Sequence, residues 1–390
     1  MGEEQQNQDV AASEPKQARS KSQKNRTVRR VHDVDLDMPA LASRKQKIIA
    51  LEQARETRVI TYITSTRPNS ETQMALDTVR YVFEHLELIK KSNRKQKPHI
   101  DLFIHSNGGD GTVPWRLVTL IREYCDKFSV LVPYRAFSAA TLTSLGADEI
   151  VMHPMGMLGP TDATVTNAFN PMINNQRVGI SVEDVTAYLQ LVKEDAGIHH
   201  EDELVQAFNI LASQVHPLAL GNVKRSISQS RMMATKLLGL HMPDHQQHKV
   251  AEIVDNLTSK LFYHGHPISR DEAREHLGIA TVKNATAAEE KAMWDLYLQY
   301  ENAMKLTSSF DLMLEYTSKI DVAGLKPGAM EKTPPAERLL ACTESTMASY
   351  RAAESYVLGG VLPANGGPLG VQFMPTKRGW IRCAEWNKLK

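Results

Sequence analysis

The residues Ile100-Asp101-Leu102-Phe103-Ile104 form a short apolar run that passes directly into His105-Ser106-Asn107-Gly108-Gly109-Asp110-Gly111. The run has the length and the branched and aromatic side chains of a strand that is buried on both faces of a sheet. Three glycines in four residues then permit positive φ angles and leave backbone N–H groups open to a bound oxyanion or phosphate. The turn lacks the Lys-Ser/Thr pair of a Walker loop, so its glycines alone indicate turn geometry rather than a nucleotide site.

Three further apolar runs flank this one, and helical patterns separate them. The runs cover residues 59–63, 128–132 and 149–152, and the helical patterns cover about 70–91, 112–125 and 139–145. This repetition of strand, helix and strand predicts an α/β fold with a mostly parallel sheet and right-handed βαβ crossovers. In such a sheet we expect chemistry in the loops that follow the carboxyl ends of the strands.

A second small-residue turn, Arg135-Ala136-Phe137-Ser138-Ala139-Ala140, follows the run at 128–132. A serine at a helix N-terminus is usually a cap. Here the small neighbours of Ser138 also let a substrate carbonyl approach its hydroxyl, and the Ala139 N–H is available to stabilise a developing oxyanion. The position therefore favours a nucleophile, with a helix cap as the alternative.

The remaining sequence divides into four predicted segments. Residues 1–36 form a tail whose stretch 16–30 carries seven Lys or Arg and no acid, and residues 37–280 form the α/β domain. A helical extension is expected over 281–358, with helices at about 287–306 and 336–356, and an irregular tail over 359–390. The basic tail is interpreted as a disordered, solubilising arm rather than a nucleic-acid contact, because no aromatic residue is interleaved with its charges.

Composition points to a soluble protein of a reducing compartment. The 390 residues carry a net charge of +1 and include three widely spaced cysteines, so a disulfide framework is not expected. No apolar run is long enough to cross a bilayer, and the N-terminus is polar. We therefore expect a cytoplasmic protein.

The ordered set of motifs resembles the Clp-protease and crotonase superfamily, and within it the serine dehydrogenase proteinase family, a soluble relative of signal peptide peptidase A. The resemblance runs from about Val59 to Ile279 and rests on the following stretches: Ser106-Asn107-Gly108-Gly109, Ala136-Phe137-Ser138-Ala139-Ala140, Gly146-Ala147-Asp148-Glu149-Ile150-Val151-Met152 and Leu158-Gly159-Pro160-Thr161-Asp162. It implies that Ser138 is the nucleophile and that Gly108 or Gly109, together with Ala139, supplies the oxyanion hole. This chain departs from the family pattern with Asn107 in place of proline and with Ala139 and Ala140 in place of glycine. Those changes keep the backbone N–H groups and put the size of the substrate pocket in question.

The general base remains open between three residues. His264 lies in Tyr263-His264-Gly265-His266-Pro267-Ile268-Ser269, which resembles the family's Thr-His-Asp-Tyr-Pro-Ile-Thr, and it would act with Asp162 as the group that orients it. Lys193 stands at about the spacing from the serine that signal peptide peptidases use for their lysine, and Lys224 lies on a helix expected near the site. His264 is the first choice.

The resulting prediction is a cytoplasmic serine peptidase that acts on peptides or proteins and, as its relatives imply, forms a homo-oligomer. No cofactor and no metal are expected, since the histidines around 241–276 are scattered and lack a His-Glu-x-x-His motif. The alternatives are a crotonase-like acyl-CoA enzyme, in which Ser138 is not a nucleophile, and a catalytically inactive oligomeric scaffold.

Overall fold

The computed structural model describes residues 38–92, 96–161, 164–165, 168–173, 176–260 and 265–389, and the predicted tail over 1–36 lies outside them. Within these ranges helices and strands alternate from the start. The α-helices are α1 Met38–Arg55, α2 Asp77–Ser92, α3 Val113–Tyr124, α4 Ala139–Leu145, α5 Val182–Gln190, α6 Glu201–Gln214, α7 Pro217–Leu238, α8 Gln247–Asp255, α9 Ala287–Met304 and α10 Leu312–Thr317. Single π turns cover Leu191–Asp195, Asn256–Lys260 and Glu272–His276, and 3₁₀ turns cover Asp244–Gln246, Val322–Gly324 and Trp386–Lys388.

The strands divide into long members of one central sheet and two-residue pairs around the candidate site. They are β1 Arg58–Thr64, β2 His99–His105, β3 Lys127–Val132, β4 Arg135–Ala136, β5 Glu149–Met152, β6 Met157–Leu158, β7 Thr164–Val165, β8 Met172–Ile173, β9 Gln176–Arg177, β10 Ile180–Ser181, β11 Val282–Asn284, β12 Met330–Lys332, β13 Ala336–Glu344, β14 Ser349–Val361 and β15 Gly370–Arg382. The four strands predicted at 59–63, 100–104, 128–132 and 149–152 are confirmed.

The central sheet has nine strands, in the order β11-β5-β3-β2-β1-β13-β14-β12, with β15 paired to β14. The half from β11 to β1 is parallel, and β13, β14, β12 and β15 are antiparallel to their neighbours. The mostly parallel α/β core with βαβ crossovers is therefore present as predicted. Its carboxyl edge carries the turns after β2 and β3, where the candidate site lies.

Helices cover both faces of the parallel half. Thr61 and Phe103 face Tyr300 of α9, at 2.9 Å between the Thr61 and Tyr300 hydroxyl oxygens and 6.4 Å between the two ring centroids. Alternate residues, such as Ile60 and Leu102, belong to the core cluster on the side of α2, α3, α4 and α7. This burial on both faces explains why the strands are continuous apolar runs.

Two C-terminal predictions are wrong. The helix expected over 336–356, within the predicted extension 281–358, is instead the strands β13 and β14, although α9 confirms the helix expected at 287–306. The irregular tail expected over 359–390 contains β15, which pairs with β14 along its length. The alanine-rich and glutamate-rich pattern favours a helix locally, but pairing of β13 with the open edge of β1 satisfies a row of backbone groups, and that tertiary gain outweighs propensity.

Two fully buried histidines make the stability of this fold sensitive to acid. The Nε2 of His85 donates to the Thr343 carbonyl at 3.2 Å, so its Nδ1 accepts from the Ser345 hydroxyl at 2.9 Å. Burial lowers the pKa of His85 to about 4, and burial together with the Arg135 charge lowers the pKa of His105 to about 3. Both rings are therefore neutral in the folded protein at pH 5, where an unfolded histidine, with a pKa of about 6.5, is protonated.

We expect the free energy of unfolding to fall as the pH drops from about 6.5 to 5, since the unfolded chain binds protons that the folded chain does not. A gap of 1.5 pH units corresponds to about 2 kcal/mol for each histidine. Urea unfolding at pH 7 and pH 5 measures this loss. The variant His85→Gln, compared with the parent chain, should lose about half of the histidine contribution to it; an unchanged pH dependence in that variant would contradict the assignment.

Candidate active site

Backbone hydrogen bonds join the two turns that the sequence singles out. The Ser106 N–H donates to the Arg135 carbonyl at 2.9 Å, and the Phe137 N–H donates to the Ser106 carbonyl at 3.0 Å. Ser106 and Ala136 thereby form a parallel bridge just beyond the ends of β2 and β3. The glycine turn and the serine turn are thus neighbours at the carboxyl edge of the sheet.

Glycine is required at both central positions of the first turn. Gly108 has φ +96°, and a Cβ there would lie 2.8 Å from the Cβ of Ser138 and 2.7 Å from the Phe137 carbonyl oxygen. Gly109 has φ +153°, and a Cβ there would lie 2.5 Å from both the nitrogen and the oxygen of Met74. The first glycine therefore lets the backbone approach Ser138, and the second lets it approach the segment before α2.

Ser138 has the backbone of a strained functional residue rather than that of a cap. Its φ of 51° and ψ of −113° fall outside the regions that non-glycine residues usually occupy. It precedes α4, yet its hydroxyl makes no capping hydrogen bond and none to any other described residue. The alternative reading of Ser138 as an ordinary N-cap is therefore wrong.

Two backbone N–H groups beside Ser138 are unused within the described part of the chain. The Gly108 N–H donates to the Ser106 hydroxyl at 3.0 Å, and that hydroxyl oxygen also accepts from Thr64. The N–H groups of Gly109 and Ala139 donate to no described residue, and the Ala139 nitrogen would lie 3.0 Å from a Cβ on Gly108. Of the two glycines considered for an oxyanion hole, Gly109 is the one with a free donor.

Thr141 connects the serine turn to the next strand, and sequence reasoning missed it. Its hydroxyl oxygen lies 2.7 Å from the Ala136 carbonyl and 2.8 Å from the Gly159 carbonyl, and it accepts from the Gly159 N–H at 3.0 Å. This contact holds β6 parallel to β4, with Ala136 opposite Leu158. A buried threonine on a short helix gives no sequence signal of such a role.

Only part of the predicted base set can be located. Asp162 and His264 lie outside the described residues. Lys193 is exposed in the π turn after α5, and Lys224 is exposed on α7. A lysine base must be desolvated to lose its proton near neutral pH, and neither environment supplies that in this chain.

Described residues approach the serine turn from the segments that flank Asp162 and His264. Ile268 exchanges two backbone hydrogen bonds with Leu158, at 2.9 and 3.0 Å, and Leu158 pairs with Ala136. The Thr161 N–H donates to the Leu257 carbonyl at 3.2 Å, and the Thr161 carbonyl accepts from the Ser230 hydroxyl. One strand pair therefore separates Ile268 from the backbone that leads to Ser138.

An aromatic cluster lies behind the two turns. Tyr134 stacks on His105 at 6.0 Å and meets Tyr297 of α9 at 5.5 Å, and the Arg135 guanidinium lies 5.1 Å from the Tyr134 ring centroid. His105 is buried, and its nitrogens contact Thr66 and the Arg135 N–H, so its role is structural. Among the described residues no cluster of His, Cys, Asp or Glu has the arrangement of a metal site.

A strained serine after a parallel strand, beside a glycine turn with a free N–H, is the arrangement of the ClpP-like class of serine proteinases within an α/β fold. The family comparison agrees. The model of the ClpP-like SDH-type serine proteinases matches residues 35–319, so the chain belongs to this family.

Individual relatives are more distant. Two uncharacterized proteins of Methanocaldococcus jannaschii are each 26% identical to this chain: MJ1495 over 63% of it and 73% of the relative, and MJ0137 over 53% of it and 60% of the relative. A solved mutant of the 1510-N membrane-bound stomatin-specific protease aligns with 55% of this chain and 75% of its own, at 12% identity and a TM-score of 0.32. No described helix combines the length and hydrophobicity that a membrane span requires.

Proposed function

We propose that this protein is a cytoplasmic serine peptidase in which Ser138 attacks the carbonyl carbon of a peptide bond. The observation that carries the proposal is the backbone of Ser138, since a φ of 51° with an uncapped hydroxyl is strain that neither helix capping nor packing explains. The family supports the reaction class, because its members are serine proteinases by description.

The two unused N–H groups supply the electrostatic part of the mechanism. As the Ser138 oxygen bonds to the carbonyl carbon, the carbonyl oxygen becomes negative, and the N–H groups of Gly109 and Ala139 donate to it. The serine proton passes to the base and then to the leaving amine as the C–N bond breaks. Water, deprotonated by the same base, then hydrolyses the acyl-serine and restores the hydroxyl.

For the base we propose His264, oriented by Asp162. The described residues that flank the two support this choice, since Ile268 pairs with the strand beside the serine turn and Thr161 is held by Ser230 and Leu257. The exposed positions of Lys193 and Lys224 argue against a lysine base. An imidazole with a pKa near 6.5 also suits proton transfer at neutral pH.

The variant His264→Gln is expected to lower kcat by about 10²- to 10⁴-fold, the usual contribution of a general base. Lys193→Gln and Lys224→Gln should change kcat little, since an exposed lysine has no depressed pKa with which to accept the serine proton. Steady-state kinetics on a fluorogenic peptide compares the three variants. A loss confined to one of the lysine variants would transfer the role of base to that lysine.

A homo-oligomer is part of the proposal. Helix α6 buries Ala207 and exposes Val205, Phe208 and Ile210, an apolar surface that a second copy of the chain could cover. Sedimentation of the full chain measures its mass in solution.

Reaction with a fluorophosphonate tests the nucleophile directly, because the reagent phosphonylates a serine that is activated beside an oxyanion hole. Mass spectrometry of the digested adduct should locate the modification on Ser138. Absence of an adduct in the intact protein would contradict the hydrolase and favour the acyl-CoA enzyme or the inactive scaffold.

A further inference from the structure

Arg135 stands three residues before Ser138 and has no acidic partner among the described residues. Its Nε is inaccessible to solvent and donates no hydrogen bond, and its guanidinium takes part in no ion pair. The other inward-facing arginines differ: Arg44 is paired with Glu344 at 2.6 Å, and Arg55 with Asp101 at 2.8 Å. An unused donor on a partly buried cation costs free energy unless a ligand supplies the acceptor.

The surroundings of Arg135 are aromatic and uncharged. Its guanidinium rests on the Tyr134 ring, and Tyr134 packs against His105 and Tyr297. Burial and the neighbouring Arg135 charge lower the pKa of His105 to about 3, so this ring is neutral at physiological pH. The nearest acid, Glu301, is engaged by the Tyr297 hydroxyl. The pocket around Tyr134 therefore carries the single positive charge of Arg135.

The spacing between Arg135 and Ser138 matches a short length of substrate. Three extended residues cover about 10 Å. A peptide whose scissile carbonyl lies at Ser138 can therefore bring a group two or three residues away to Arg135. A carboxylate suits the position, because a guanidinium binds it through two parallel hydrogen bonds.

We propose that Arg135 and Tyr134 form a carboxylate-binding subsite, so that the preferred substrates carry a carboxylate two or three residues from the scissile bond. The carboxylate belongs to an acidic side chain or to the C-terminus of the peptide. This inference rests on the proposed peptidase function and narrows its substrate class. Binding would satisfy the unused Nε donor while leaving the aromatic packing intact.

Binding can be measured without cleavage in the full-length Ser138→Ala chain by calorimetry. The probes are acetylated hexapeptides of alanine and leucine that form two matched comparisons: glutamate against glutamine at each internal position, and a free C-terminus against its amide. The carboxylate member of at least one comparison should bind about 10- to 100-fold more tightly, as expected for hydrogen bonds to a charged group.

Adding Arg135→Gln should abolish this preference, and Arg135→Lys should retain part of it, since lysine keeps the charge and loses the two-pronged geometry. Arg80→Gln, at an exposed arginine of α2, is the matched control and should keep the full preference. Thermal unfolding checks that each variant is folded, and the lysine variant decides if the glutamine variant is not. Preference in only the internal comparison identifies a side-chain carboxylate, and preference in only the terminal comparison identifies the C-terminus.

Equal affinity within every comparison, or a preference that survives both Arg135 variants, would overturn the subsite. Failure of the peptidase itself has a different signature. The chain with Ser138 intact would then show no fluorophosphonate adduct, while the Arg135-dependent preference for carboxylates would persist in the binding measurement.

Discussion

Ser138→Ala is expected to reduce the peptidase activity about 10⁶-fold, the scale found when the serine of a catalytic unit is removed. The reason is that no second described hydroxyl occupies the position beside the free N–H groups of Gly109 and Ala139. The Ser106 hydroxyl lies in the neighbouring turn, but it accepts from Gly108 and Thr64 and holds the turn together. Hydrolysis of a fluorogenic peptide over hours measures the residual rate.

The fold should survive this substitution, because the Ser138 hydroxyl makes no hydrogen bond with described residues. We expect the free energy of unfolding to change by less than about 1 kcal/mol. Ser228→Ala, at an exposed serine of α7, is the matched control and should retain full activity. Substantial peptidase activity in Ser138→Ala would show that another residue is the nucleophile.

Arg44→Leu is expected to have the largest effect on stability, a loss of about 3–5 kcal/mol, because it leaves a buried carboxylate without its cation. Two nitrogens of Arg44 donate to the two carboxylate oxygens of Glu344, at 2.6 and 2.8 Å, and Tyr300 and Ser349 each donate to the same carboxylate at 2.7 Å. Burial alone would raise the pKa of Glu344, but the Arg44 charge and these donors hold it below its usual range. The group therefore stabilises the fold at neutral pH, and this contribution is lost as the carboxylate is protonated in acid.

Urea unfolding of a double-mutant cycle measures the coupling between the two residues. Glu344→Leu combined with Arg44→Leu should cost less than the sum of the single substitutions, since the double variant leaves neither charge unpaired. Arg80→Leu removes an exposed i,i+4 pair with Glu84 and should cost less than about 1 kcal/mol. Additive losses at Arg44 and Glu344 would contradict the coupling.

The parallel half of the fold could be predicted because its information is local. Each buried strand is a continuous apolar run, and each connecting helix has its own periodicity, so strands at 59–63, 100–104, 128–132 and 149–152 were recognisable in isolation. The candidate site could be predicted for the same reason. Its glycines and Ser138 lie in short turns that directly follow two of these strands.

The antiparallel half could not be predicted, because its strands depend on partners far away in the chain. Nothing within residues 336–356 indicates that Ala341 and Cys342 pair with Thr64 and Ile63 of β1. Pro375 likewise suggested an irregular tail, yet it lies on the edge strand β15 beside a shift in register, where a missing N–H is tolerated. These contacts outweigh the helical propensity of the segment once the sheet offers a free edge.

The sequence by itself determined the positions of Ser138, Gly108 and Gly109, because a nucleophile in a tight turn and a backbone with positive φ are properties of a few adjacent residues. The tertiary structure decided which donors remain free. It engages the N–H of Gly108 with the Ser106 hydroxyl, leaves those of Gly109 and Ala139 available, and sets Arg135 against Tyr134 without a carboxylate. The physical reason is that hydrogen-bond satisfaction depends on which groups meet in space, and those groups come from strands and helices that are distant in sequence.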